Sequence, residues 1–107
     1  MSGYTFLYDA RLGIEVPHLS EDWHAYSVAD RTAIINRWEH IRGAIPDKIK
    51  ALEGEINKKQ ARLNEEDNFT KSCELNTEIA ELASRINDLH LWFRVNQHVE
   101  ASGKTHM

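Results

Sequence analysis

The sequence predicts a mainly α-helical fold: a kinked antiparallel helical hairpin with a short N-terminal β-like or extended segment, completed as a helical bundle by self-association. Three observations carry that expectation. The first is a pair of apolar stripes, Ile41, Ile45, Ile49, Leu52, Ile56 and Ile79, Leu82, Ile86, Leu89, Phe93. Both step by three or four residues, the spacing that keeps side chains on one face of an α-helix. The second is their mutual register. Folding the chain back pairs Ile56 with Ile79, Leu52 with Leu82, Ile49 with Ile86, Ile45 with Leu89 and Ile41 with Phe93, and one fold point near residue 67 satisfies every pair. The third is what stands at that point: Glu65-Glu66-Asp67-Asn68, the most polar stretch of the region.

The elements follow in order along a single domain spanning 1–107. Residues 1–26 form an N-terminal arm or a small β-hairpin. Tyr4, Phe6 and Tyr8 alternate with Thr5 and Leu7, and Ile14 and Val16 lie between Gly13 and Pro17, so two short strands turning through Ala10 to Gly13 fit the pattern. An extended arm lying on the helices fits it equally. Ser20-Glu21-Asp22-Trp23 suits one helical turn with Ser20 as its cap. Residues 27–64 are read as a kinked helix. Ser27 and Asp30 resemble a capping box with Asp in place of Glu. Gly43 and Pro46 then interrupt the helix, because proline removes a backbone donor and clashes with the carbonyl of Arg42. Pro46 suits a first helical position and Asp47 the positive helix start. Residues 70–99 form a second long helix and 100–107 a frayed tail. A helix running straight through 60–72 is disfavoured by Asn64, Asp67, Asn68, Thr70 and Ser72, all weak helix formers. Glu55 with Lys59 and Glu81 with Arg85 are spaced as exposed ion pairs.

Composition bounds the function. Hydrophobic content of 41% and charged content of 28% are ordinary for a globular chain. A net charge of −4 and the lack of any Lys/Arg block argue against nucleic acid as a partner. No apolar run approaches membrane-spanning length. Met1-Ser2-Gly3-Tyr4 does not open a secretory signal, and the single Cys73 suits a reducing compartment, so a cytoplasmic location is expected. Gly103-Lys104-Thr105 matches the end of a phosphate-binding loop, but His98 stands where that loop needs glycine. No pattern implies a cofactor or a metal. Glu39-His40 are adjacent and point about 100° apart, unlike the Glu-x-x-His and His-Glu-x-x-His spacings of helical metal sites. Cys73 has no predicted histidine beside it to activate it, so a structural cysteine is expected.

Two groups of residues are singled out. Cys73, Asn76, Ala80, Ala83 and Asn87 form a second stripe on the last helix. Small side chains let another helix approach closely, and asparagine at a helix interface fixes register and oligomer state. With Trp92 as an aromatic anchor, Asn76, Ala80, Ala83 and Asn87 are read as a subunit interface, giving a homodimer or a higher even oligomer. The other group lies near the kink. The register that pairs Ile41 with Phe93 brings Glu39 and Arg42 toward Asp88, His90 and Arg94, a polar cluster suited to an anionic ligand. The resulting expectation is a non-enzymatic protein-interaction or regulatory module that self-associates and binds another protein. The alternative is a binder of an anionic metabolite or nucleotide through Arg42, His90, Arg94, Glu39 and Asp88.

Overall fold

The computed structural model describes residues 3–95. The expected helix over 96–99, the frayed tail and the Gly103-Lys104-Thr105 triplet lie outside the described residues. Within them the chain is mainly helical: strands β1 (Tyr4–Asp9) and β2 (Ile14–Leu19), then helices α1 (Val28–Arg42), α2 (Ile45–Glu65) and α3 (Phe69–Phe93). Its principal extents are 59 × 28 × 19 Å. α3, with 25 residues at a rise of about 1.5 Å each, is roughly 37 Å long.

Of the two readings of the N-terminal segment, the hairpin is the one that forms. Tyr4 pairs with Leu19 and Asp9 with Ile14 in an antiparallel ladder. The turn closes through Gly13 N–H donating to Asp9 O at 2.7 Å, while the Asp9 carboxylate accepts from Leu12 N–H at 3.1 Å. Gly13 has φ +71°, a left-handed conformation that glycine adopts without a Cβ clash. At the open end, the Gly3 carbonyl accepts from Ser20 N–H, Ser20 Oγ and Tyr26 Oη. Ser20 therefore ties off the hairpin rather than capping a helical turn. The short 3-10 turn Trp23–Ala25 starts after Asp22, without a side-chain cap. The Ser20 hydroxyl donates to Gly3 O at 2.6 Å, and among the described residues no backbone N–H of the following turn donates to it.

α1 starts as its sequence requires, with Ser27 Oγ accepting from Asp30 N–H at 3.0 Å. The helix ends at Arg42, and Gly43 and Ala44 remain in right-handed helical conformation before Pro46 enters the first turn of α2. Gly43 N–H still reaches Glu39 O at 3.0 Å and Ala44 N–H reaches Ile41 O at 3.1 Å. Pro46 has no N–H to offer Arg42 O, so the ladder is interrupted and the long helix bends. The polar linker Glu66-Asp67-Asn68 then reverses the chain, and Asn68 Oδ1 accepts from Lys71 N–H at 3.0 Å to start α3.

The expected register is closed at both ends of the helix pair. Near the reversal, Lys59 Nζ meets Glu78 Oε1 at 2.6 Å. At the bend, the Arg42 guanidinium donates to Phe93 O and lies 4.1 Å from the Phe93 ring centroid. Lys59 thus reaches across the seam rather than along its own helix to Glu55, because its half-buried stem lies over the junction of the two helices. Ile45 and Leu89, one of the expected pairs, both have 0% exposure. They belong to a core that also holds Phe6, Leu12, Ile14, Val16, Tyr26, Ile34 and Trp38, so the β-hairpin is part of the core and not a loose arm. Leu75 is buried as well, extending the α3 stripe by one turn before Ile79.

Because Leu89 is fully buried, Leu89→Ala should lower stability by about 2–5 kcal/mol in urea denaturation. Leu91→Ala, at a side chain 54% exposed, should stay within about 0.5 kcal/mol. Glu78 supplies a second test, through pH. Its carboxyl is held below the usual range by the hydrogen bond from Lys59, reinforced by the charges of Lys59 and Arg62. A depressed carboxyl stabilises the fold above its unfolded pKa, and that contribution disappears as pH falls through the folded value. Glu78→Gln should therefore remove part of the acid-side loss of stability while leaving the slope above neutrality unchanged.

Candidate functional site

Two of the polar residues read as a cluster near the bend are engaged with other elements. Arg42 is committed to the end of α3. Its Nε–H donates to Phe93 O and its guanidinium covers the Phe93 ring, so it satisfies a terminal carbonyl and sits favourably at the negative end of the helix dipole. Arg94 is the exposed residue after α3, its backbone N–H donating to His90 O and Leu91 O. His90 is exposed on the last turn. Glu39 is exposed on α1, and its carbonyl accepts from Gly43 N–H.

Asp88 is drawn elsewhere. Arg11, in the turn of the β-hairpin, donates through Nη1 to Asp88 Oδ2, through Nε to Glu81 Oε1 at 3.2 Å and through Nη2 to Ser84 Oγ. Glu81, Ser84 and Asp88 are successive rungs on one flank of α3, so a single guanidinium spans two helical turns. Arg85 adds a 3.3 Å contact to Glu81, the within-helix pair that its spacing predicted. The hydrogen bond to Asp88 is the largest influence and pushes the Arg11 pKa up; desolvation, next in size, opposes it, and the charge of Asp88 and the contacts with Glu81 add to the rise. Sequence reasoning did not single out Arg11. Its partners lie seventy or more positions away, and a lone arginine in a short turn carries no periodic signal. A second such contact holds α1, where Arg37 Nη2 meets Glu15 Oε1 at 3.0 Å and its guanidinium lies 4.6 Å from the Phe6 ring centroid.

The residues read as an interface have a different setting. Asn76, Ala80, Ala83 and Asn87 are all exposed, and one helical step further the row reaches Leu91, 54% exposed. Leu91 is the residue that the sequence reading missed, although it continues the same spacing from Asn87. Trp92 is half-buried, its ring 5.6 Å from that of Trp38. It is a wall of the core whose outer side, with Asp88, Leu91 and Val95, lines a shallow groove. Cys73 is an exposed free thiol at the start of α3. Among the described residues, no group of three or more His, Cys, Asp or Glu side chains is arranged to hold a metal ion. No described helix is long and apolar enough to cross a membrane.

Comparison of the chain with protein-family models, with curated proteins and with solved structures gives no match. The functional reading therefore rests on the geometry.

The two arginines near the bend are separable by experiment. Arg42→Ala removes a charge-assisted hydrogen bond and a cation–π contact and should cost about 1–3 kcal/mol of stability. Arg94→Ala, at an exposed side chain, should change stability by no more than about 0.5 kcal/mol. Parallel thermal or urea unfolding of the two variants reads the difference.

Proposed function

We propose that this protein is a non-enzymatic interaction or regulatory module of the cytoplasm that works as a homo-oligomer, a dimer or a higher even assembly, and presents its surface to another protein. The observation that carries the reading is the exposed row Asn76, Ala80, Ala83, Asn87 and Leu91 on α3. Its small side chains admit a second helix at close range, its asparagines suit paired hydrogen bonding across a two-fold axis, and Leu91 supplies an apolar anchor beside Trp92. The outer half of the α2–α3 pair supports the same reading. Two helices form a single layer there, and a further helical layer from a second copy would bury what one chain leaves at the surface.

The alternative, an anionic metabolite or nucleotide held by Arg42, His90 and Arg94, draws less support. Arg42 already serves Phe93, and Asp88 already serves Arg11.

Sedimentation at high micromolar concentration tests the assembly. The unaltered chain should sediment as a dimer or larger, and Ala83→Arg should shift it toward monomer with helicity retained. A chain that is monomeric throughout that range rejects the proposed interface.

A further inference from the structure

The β-hairpin has two outer edges, and they are treated differently. Its register sets Phe6 opposite Pro17 and carries Gly3 to Ser20, whose N–H donates to Gly3 O. Antiparallel partners alternate between bonded and non-bonded pairs. Thr5, Leu7 and Asp9 therefore spend their backbone groups on β2, while Tyr4, Phe6 and Tyr8 turn theirs to the outer edge of β1. Pro17, with no N–H to exchange, fits its non-bonded place. On the far edge of β2, Pro17 withholds a donor, Arg37 ties Glu15 to α1, and α1 packs against the strand. The edge of β1 has no such cover. Among the described residues, β2 is its only strand neighbour, no helix packs along it, and no hydrogen bond outside the hairpin reaches the backbone of Tyr4, Phe6 or Tyr8. Charge and proline, the common guards of an edge strand, are absent from Tyr4 to Tyr8. Leu7 is 50% exposed and Tyr8 67%.

We propose that β1 pairs edge to edge with β1 of a second copy, joining the two hairpins into one antiparallel sheet across a two-fold axis at Phe6. The strand is complementary to itself in that register. Tyr4, Phe6 and Tyr8 meet Tyr8, Phe6 and Tyr4 of the second copy and exchange about six backbone hydrogen bonds. Tyr8 lies beside Tyr4 as a cross-strand aromatic pair, and the exposed Leu7 lies beside the exposed Thr5. Asp9, the one charged residue of β1, comes opposite Gly3, so two chains of net charge −4 set no like charges against each other along the strand. Centring the axis on Leu7 instead would place Tyr4 against Ala10, beyond the end of the strand. The contact is isologous. It uses neither the α3 row nor Trp92, and it stands independently of the interface proposed there.

The test follows backbone amide exchange at Tyr4 and Tyr8 by NMR on the full chain, from low to high micromolar concentration. Exchange at both should slow by about tenfold or more as concentration rises, in the unaltered chain and equally in Ala83→Arg. Two variants should abolish that slowing while circular dichroism is retained. Leu7→Lys puts a charge on the edge, and Tyr8→Pro removes an outward donor that β2 does not use. Exchange independent of concentration in the unaltered chain overturns the proposal, and so does slowing that persists in folded Leu7→Lys and Tyr8→Pro. Slowing that disappears in Ala83→Arg also overturns it, because the contact then belongs to the α3 row. Slowing that survives in Ala83→Arg, with an unchanged sedimentation profile, supports the strand contact and rejects the α3 row instead. Should both edge variants unfold, the unaltered chain and Ala83→Arg decide.

Discussion

The bend between α1 and α2 is the constraint on which the rest of the molecule depends. Pro46 denies Arg42 O its helical partner, and the chain turns there without leaving right-handed helical conformation. A continuous helix would carry Trp38 and Ile34 away from α3. The bend instead lets α1 fold over the hairpin while α2 stays paired with α3. Ile45 sits at this corner with no exposed surface, and Leu89 is equally buried across from it. Side chains from every element of secondary structure except the outer turns of α2 and α3 share that core. A small chain has little apolar surface to bury, so its stability is concentrated where these elements meet.

α3 serves three surfaces at once. Leu75, Leu82 and Leu89 are buried along its seam. Glu81, Ser84 and Asp88 take the Arg11 guanidinium on one flank. Asn76, Ala80, Ala83, Asn87 and Leu91 form the row left at the surface. The division follows from helical geometry, since residues one position apart differ by about 100° in direction. It also explains how Asp88 comes to face the hairpin turn while Arg42 meets the end of α3. The arginines there are recruited to hold elements together. Arg42 closes the end of α3, Arg11 secures the hairpin turn, and Arg37 joins α1 to β2. The ion pairs of Arg11 and Arg37 lie at partly exposed side chains and contribute modestly to stability, and their value here is positional. Among the described residues, the α3 row is left outside these contacts.

Much of the fold was legible in the sequence because its signals are local and periodic. The two stripes, the polar reversal, the Ser27 cap and the interruption at Gly43–Pro46 each depend on residues within a few positions of one another, where propensity and spacing act directly. Leu75 and Leu91 were within reach of the same logic, one turn beyond the stripes as read. The hairpin was half legible. Alternation marked the strands, but whether they paired depended on Gly13 accepting φ +71° and on Gly3 O gathering donors from Ser20 and Tyr26. Nothing in the alternation of residues states where a serine hydroxyl will be spent.

By itself, the sequence determined a mainly helical chain, the antiparallel register of α2 and α3 and the place of the bend, because backbone hydrogen bonding and side-chain periodicity are set over short distances. Only the tertiary structure decided which partner each charged group takes. It placed Arg11 against Glu81, Ser84 and Asp88, and it set Arg42 against the Phe93 carbonyl and ring. It also enclosed Trp38, whose indole donor has no hydrogen-bond partner among the described residues. Such outcomes depend on long side chains meeting across the whole length of the chain, where several partners compete and packing selects among them.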